Sequence, residues 1–302
     1  MMPPGSRRRL HGEIARSSIR WPNSLEECSS KAPLFSRPSA KILCRQPSSS
    51  YLADIPLRLA HCHEIPYGLL TDWPADPEPQ RLLRHEVRRH LDLVAGVGST
   101  TDDERLSVRV SVAARERVRG RLDELQPDRS RPWAIIHPGA TASSRRYPPE
   151  GFARVARELT LQFGWQVLFT DSVDELDLIA EIRRTMAAPS WSLAGELPLE
   201  DLVALISEAP ILIVNNTGPA HIAAATGTPV VELYALTNPQ HTPWAVPNRV
   251  LSHDVPCKNC YRSVCPEGHH NCLRLVTPQT VVAAAIDLAR ETRRQPVESR
   301  AE

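Results

Sequence analysis

Between residues 133 and 233 the chain repeats one pattern: a short, nearly unbroken apolar run, then a segment with helical periodicity. The runs are Trp133-Ala134-Ile135-Ile136, Gln166-Val167-Leu168-Phe169, Ile211-Leu212-Ile213-Val214 and Pro229-Val230-Val231-Glu232-Leu233. The helical segments are Glu150 to Phe163, Val173 to Met186, Leu199 to Glu208 and Ala220 to Thr226. A strand with one wet face alternates apolar and polar residues, so a run without alternation predicts burial on both faces. Such strands joined by helices predict a parallel sheet with helical crossovers, an α/β layer of Rossmann type. Residues 131–302 are read as one complete C-terminal domain of this kind.

Upstream the pattern fades. Residues 51–130 hold a short apolar patch at Leu57, Leu59 and Ala60 and a Pro-broken loop from Trp73 to Pro79. Two amphipathic helices follow, His85 to Val97 and Ser111 to Leu125. This zone reads as a partial N-terminal α/β domain and linker. Residues 1–50 are rich in Ser, Arg and Pro, show neither periodicity, and read as a disordered or aberrant segment. Pro outnumbers Gly 28 to 13, and the prolines are dense in the first 80 residues. Lys and Arg number 36 against 35 Asp and Glu, which argues against a partner bound through excess positive charge, nucleic acid above all. No run approaches the roughly 18 apolar residues of a membrane span, and no secretory signal pattern follows Met1.

In an open parallel sheet, ligands bind at the carboxyl ends of strands, near helix N-termini. Three loops are expected there. His137-Pro138-Gly139-Ala140-Thr141-Ala142-Ser143-Ser144-Arg145-Arg146-Tyr147-Pro148 joins hydroxyls, small residues and two guanidiniums. That suits a phosphorylated ligand, and a solvated loop with capping hydroxyls suits it equally. Asn215-Asn216-Thr217-Gly218-Pro219-Ala220-His221 ends a strand and opens a helix, with Pro219 in the first turn. Thr217 and Gly218 there suit a diphosphate, and His221 lies one turn inward; a capped helix with a core histidine is the slightly commoner explanation. Thr170-Asp171-Ser172-Val173-Asp174-Glu175 offers carboxylates to a ribose, although a carboxylate at a helix start usually serves the helix dipole.

A fourth feature is Cys257, Cys260, Cys265 and Cys272, spaced C-x2-C-x4-C-x6-C around His269 and His270. Four thiolates so close fit a structural zinc or an iron–sulfur cluster. Reduced, unliganded thiols are an equal reading, while disulfides are disfavoured in the reducing compartment expected here.

Taken in order, these segments resemble glycosyltransferase family nine, the ADP-heptose:lipopolysaccharide heptosyltransferases. The resemblance rests on His137-Pro138-Gly139-Ala140, Arg145-Arg146-Tyr147-Pro148-Pro149-Glu150, Leu193-Ala194-Gly195 and Leu199-Glu200-Asp201-Leu202. Its most specific part is Asn216-Thr217-Gly218-Pro219-Ala220-His221-Ile222-Ala223-Ala224-Ala225 with Gly227-Thr228-Pro229. The Cys-rich segment through Cys265-Pro266 and Gly268-His269-His270 also looks like a form common in that family. The resemblance covers about 131–302 well and about 51–110 weakly, where His85-Glu86-Val87 looks like the end of the family's first domain.

The resemblance implies a GT-B-like fold and a glycosyltransferase that moves heptose from ADP-heptose to a lipopolysaccharide inner-core acceptor or another glycan, with inversion and without a catalytic metal. Thr141 and Arg145 would then contact the diphosphate, Glu175 the ribose and Leu197 the adenine. Thr217 and Gly218 would offer donors to the phosphates, with His221 beside them, and Arg145 would stabilise the leaving nucleotide. Asn216 stands where the family has Asp, which implies weaker recognition of sugar hydroxyls. The family's general base is an Asp after an N-terminal strand and Gly-Asp turn. Residues 1–50 contain neither, and Asp54 and Asp72 lie outside any such turn, so the resemblance assigns the catalytic role to no residue: catalytic residue unknown. The resemblance also implies a cytoplasmic protein, free or peripheral to the inner membrane.

Three other classes compete with this reading. A nucleotide-sugar-binding protein without turnover, or a truncated pseudoenzyme, keeps the same donor site. A zinc module for nucleic acid lacks a basic stripe. A dehydrogenase lacks a G-x-G-x-x-G after any strand.

Overall fold

In the computed structural model the described residues are 34–35, 45–62, 68–74, 83–125, 127–128 and 130–294. They fall into two compact units: the described residues up to 74 with Leu93–Gly98, and Leu83–Asp92 with the residues from Ser99 onward.

In the first unit, strand β1 (Leu34–Phe35) precedes helix α1 (Arg45–Leu52) and pairs in parallel with β2 (Leu59–Ala60). The expectation for residues 1–50 otherwise lies outside the described residues. Ala60, Cys62 and Leu70 form a small buried cluster. Arg58 ties the segment together: its Nε donates to Leu69 O at 2.8 Å, and its guanidinium lies 5.3 Å from the centre of the Tyr51 ring.

The second unit is the expected α/β domain. Its elements are α2 (Glu86–Ala95, of which residues 86–92 belong here), α3 (Val112–Leu125), β3 (Trp133–His137), α4 (Pro149–Leu161), β4 (Gln166–Phe169), α5 (Leu176–Met186), β5 (Trp191–Ser192), α6 (Leu199–Glu208), β6 (Leu212–Asn215), α7 (Gly218–Thr226), β7 (Val230–Leu233), β8 (Asn248–Leu251), α8 (Asn271–Arg274) and α9 (Pro278–Arg294). All six strands pair in parallel, in the order β5-β4-β3-β6-β7-β8. Strand β6 begins one residue later than the apolar run suggests and takes in Asn215.

The unbroken apolar runs find their explanation in two covered faces. Ala134, Ile136, Val167, Phe169, Ile213, Val231 and Leu233 meet α4, α5 and α9. Their alternates Ile135, Leu168, Leu212, Val214 and Val230 meet α3, α6 and α7. Each fully buried Ile, Leu or Phe contributes roughly 1.5–3 kcal/mol, so sheet and helices stabilise one another. Helix α3, read from the sequence with the first domain, packs here through Ala114 and Val118. The compact unit that holds it also takes in the residues from Ser99 onward and Leu83–Asp92. Helix α7 starts after Thr217 in extended backbone, carries Pro219 in its first turn and stops at Gly227, whose φ of 74° only glycine adopts without strain.

Candidate functional site

Counted within the sheet, the strand order is 3-2-1-4-5-6, and it reverses between β3 and β6. Chains leaving those two neighbours go to opposite faces, which opens a crevice outside their carboxyl ends. The loop 138–148 after β3 and the turn Asn216–Thr217 after β6 flank it.

The β3 loop is anchored at many points. Asn215, fully buried, donates from Nδ2 to Pro138 O at 2.6 Å and accepts Tyr147 N–H at Oδ1 at 3.1 Å, so one side chain holds both ends of the loop. Gly139 N–H donates to Asp171 Oδ2 at 2.6 Å. A Cβ at Gly139 would collide with the Asp171 carboxylate, which would have to swing away from the Gly139 amide. His137 Nδ1 is 3.1 Å from Thr170 Oγ1, and its Nε2 is 3.5 Å from Asp171 Oδ1. Burial lowers the His137 pKa against the pull of Asp171, and raises that of Asp171 against the pull of His137. Ser144 donates from N to Ser263 O at 3.1 Å and from Oγ to Arg262 O at 2.9 Å. Arg146 donates to Ala140 O at 2.7 Å and to both oxygens of Glu175, one at 3.0 Å. Tyr147 donates to Val276 O at 2.8 Å, and burial pushes its phenol up to about 12.

Arg145 is the loop's other guanidinium. It approaches the β6 turn, with Nη1 3.5 Å from Asn216 Oδ1, while its Nε is buried without a partner. Thr217 occupies the N-cap of α7, yet its hydroxyl makes no capping bond and is also buried without a partner. On β7, both carboxyl oxygens of the fully buried Glu232 lack partners. Burial pushes that carboxyl up to about 8, against the attraction of Arg145. Buried polar groups are nearly always hydrogen-bonded; here four atoms on three residues, Arg145, Thr217 and Glu232, are not.

Histidines line the same place. Burial first, then the charges at His85 and Arg145, lower the His221 pKa, which keeps its imidazole neutral at pH 7. His85 stacks on Trp244 with centroids 4.4 Å apart; its Nε2 lies 2.7 Å from Thr242 O and its Nδ1 accepts Val87 N–H at 3.2 Å. Both His85 nitrogens are thus engaged, and it is unsuited to moving a proton. The Tyr234 hydroxyl donates to Asn238 O and accepts His241 N–H, and burial pushes it up to about 12.

Of the residues singled out from sequence, the structure gathers Arg145, Asn216, Thr217, Gly218 and His221 at the switch of strand order. Thr141 is exposed on the same loop. Glu175 stands at the carboxyl end of β4, engaged by Arg146, and Leu197 is half-buried after β5 against the α3–α6–α7 face. Sequence reading places Asn215 and Asp171 in two of the expected loops without giving either a role of its own, and passes over Glu232. Glu232 had a signal, a lone carboxylate inside a run otherwise buried on both faces. Asn215 ends β6 and Asp171 lies two residues past the end of β4, positions at which many polar side chains merely meet solvent.

The four cysteines gather as well. Cys257, Cys260, Cys265 and Cys272 line one cavity of about 20 Å³ with His269 and Ser144. Cys257 Sγ lies 3.6 Å from His269 Nε2, and His269 Nδ1 accepts Asn271 N–H at 3.0 Å. That acceptor role puts the ring proton on Nε2, facing sulfur, so His269 serves the thiols as a donor. Burial, with the three neighbouring sulfurs, raises the Cys272 thiol. Among the described residues no group of three or more His, Cys, Asp or Glu is arranged to hold a metal ion. A roomier cavity of about 340 Å³ opens elsewhere, among Leu122, Trp133 and Trp191, near the amino ends of β3 and β5.

Residues 63–271 match the family model described as Glycosyltransferase family 9 (heptosyltransferase). Lipopolysaccharide heptosyltransferase 2 of Escherichia coli K12 is 28% identical over 244 residues, covering 77% of this chain and 69% of the relative. A glycosyltransferase family 9 structure from Veillonella parvula superposes with a TM-score of 0.70 at 21% identity, covering 88% of this chain and 76% of that one. The E. coli ADP-heptose lipopolysaccharide heptosyltransferase II structure gives 0.66 at 24% identity, covering 88% and 78%. The two structures share the fold.

Proposed function

Because the chain belongs to glycosyltransferase family 9, we propose that it transfers heptose from ADP-heptose to a lipopolysaccharide inner-core acceptor, with inversion and without a catalytic metal. The observation that carries this reading is the set of unpartnered donors at the strand-order switch, Arg145 Nε and Thr217 Oγ1, beside the N-terminus of α7. A guanidinium, a hydroxyl and free helix amides complement a diphosphate. As the bond from sugar carbon to phosphate oxygen breaks, negative charge grows on the leaving phosphate. In this reading Arg145 and the amide of Gly218 stabilise it, with Thr217 donating and neutral His221 one turn further in. Thr141 contributes from the loop, Glu175 binds the ribose while sharing Arg146, and Leu197 packs on the adenine.

In this reading the C-terminal domain of a GT-B-like pair holds the donor, and acceptor recognition belongs to the residues before it. The base that takes the acceptor proton is unassigned. We propose a cytoplasmic protein that meets its acceptor at the inner membrane surface; among the described residues no helix is long and apolar enough to cross a membrane. The test is release of ADP from ADP-heptose with a heptose-deficient core acceptor. Release that depends on the acceptor supports the reading, and no release with donor bound supports a second one, binding without turnover. That second reading has one observation behind it. Asp171 is engaged by Gly139, Glu175 by Arg146, and Glu232 is fully buried, so none of these carboxylates stands free and exposed as a base.

The Cys cavity has the donor chemistry for a structural ion, although the thiols as they stand are not drawn together around one point. Cys257, Cys260, Cys265 and Cys272 would hold zinc or an iron–sulfur cluster as thiolates, with His269 hydrogen-bonded to one sulfur. The ion would add cross-links to an irregular segment.

A further inference from the structure

Strand β7 alternates cleanly up to one residue. Val231 and Leu233 face α4, α5 and α9, and Val230 faces α3, α6 and α7. Glu232 shares the side of Val230 and pairs in register with Val214 on one neighbour and Val250 on the other. Ile135, Leu212, Val214 and Val230 on that side are aliphatic. An aliphatic residue at 232 would continue the pattern. The carboxyl instead sits with 0% of the residue exposed and both oxygens unpartnered. Such a group costs stability whether charged or neutral, and burial outweighs the attraction of Arg145.

Its neighbours show what it could meet. Arg145 is the charged group that acts on the carboxyl, and Tyr234, next on the same side, feels both. Arg145 in turn reaches Asn216. The orphaned atoms divide by chemistry. Arg145 Nε and Thr217 Oγ1, beside the helix N-terminus, complement an anion. Glu232 offers two oxygens side by side, and Asn216 beside Arg145 adds an amide with both donor and acceptor. Oxygens so spaced match two adjacent hydroxyls, and a carboxylate would repel a phosphate. An anion half next to a polyol half is the complement of a sugar diphosphate.

We propose that Glu232 is the specificity-determining residue for the transferred sugar, its carboxyl and the Asn216 amide hydrogen-bonding adjacent hydroxyls of the glycosyl group while Arg145 and Thr217 hold the diphosphate. The assignment rests on the donor-site reading above. Burial supports it further by holding the carboxyl mostly protonated at neutral pH, so that the free site both donates and accepts without adding a charge beside the diphosphate.

Calorimetry on the full chain with ADP and with ADP-heptose separates the two halves. Wild type is expected to bind ADP-heptose more tightly than ADP. Glu232→Met should keep ADP affinity within about twofold and lose ADP-heptose affinity at least about tenfold, down to the level of ADP. Glu232→Gln, which keeps one oxygen acceptor, should fall between. An unliganded melting temperature of either variant at or above wild type shows an intact fold. Variants that bind ADP-heptose like wild type overturn the assignment. So does a wild type that binds ADP but gains nothing from the sugar, and that result leaves the nucleotide site standing. A wild type that binds neither ligand removes the donor-site reading and this inference with it.

Discussion

Replacing Glu232 by Gln isolates what a buried, unpartnered carboxyl does to the fold. In the unfolded chain this group loses its proton near the ordinary glutamate value of 4.5, and in the folded protein near 8. Between those values the folded state holds a proton that the unfolded state has released, so stability must fall as pH rises. The contribution is fully present below about pH 4.5 and gone above about pH 8. At about 1.36 kcal/mol per unit the whole loss is about 5 kcal/mol, and about 3 kcal/mol of it has occurred by pH 7. Urea denaturation from pH 4 to 9 on wild type and Glu232→Gln reads this directly, since every other titrating group cancels in the difference. The difference curve should climb in favour of Gln across pH 5–8 and flatten on either side. Glu232→Met, with no polar atom left to bury, should run parallel to Gln and about 1–3 kcal/mol above it. A flat difference between wild type and Gln would refute the reasoning, because it would mean that the carboxyl is solvated or paired.

Thr217→Val should leave the unliganded melting temperature nearly unchanged, since the hydroxyl caps nothing, yet weaken ADP binding by about tenfold or more in calorimetry. Gly139→Ala should cost roughly 2–4 kcal/mol in urea denaturation, because the new Cβ collides with the Asp171 carboxylate and drives it from the Gly139 amide; an unshifted midpoint would count against the close approach. Metal analysis of the purified full chain should find about one zinc, or one cluster, per chain. Cys272→Ser should lower that content, and a wild-type chain without metal would return the Cys cavity to plain thiols.

The domain was legible because its strands are covered on both faces, which suppresses alternation and leaves an apolar signature that few other folds share. Trp133–His137 and Gln166–Phe169 emerged within a residue of their runs. Strand β5 did not, being two residues long at the sheet edge, and β8 did not, since Asn248-Arg249-Val250-Leu251 pairs along one side only. Helix α9 has an amphipathic pattern in Val281, Val282, Ala285, Ile286 and Ala289, but it follows an irregular cysteine segment that hides its place in the domain. Within the site, loops were readable and their wiring was not. Side chains such as Asn215 act across 68 and 77 residues of sequence, and no local pattern records such a partner. Asn216 carries no charge, while the neighbouring strand carries the carboxyl of Glu232.

The anchors on loop 138–148 bear on the thermodynamics of association. A loop that closes over its ligand must lose conformational entropy at that moment, and its affinity is reduced accordingly. Here Asn215, Asp171, Glu175 and the backbone carbonyls of Arg262 and Ser263 already restrain the segment in the free protein. The backbone that carries Arg145 is therefore ordered when the domain folds. Nucleotide binding should show a small entropic loss and little dependence on loop motion. Cutting a single restraint such as the Ser144 hydroxyl would weaken affinity through entropy while every contact to the ligand stayed the same.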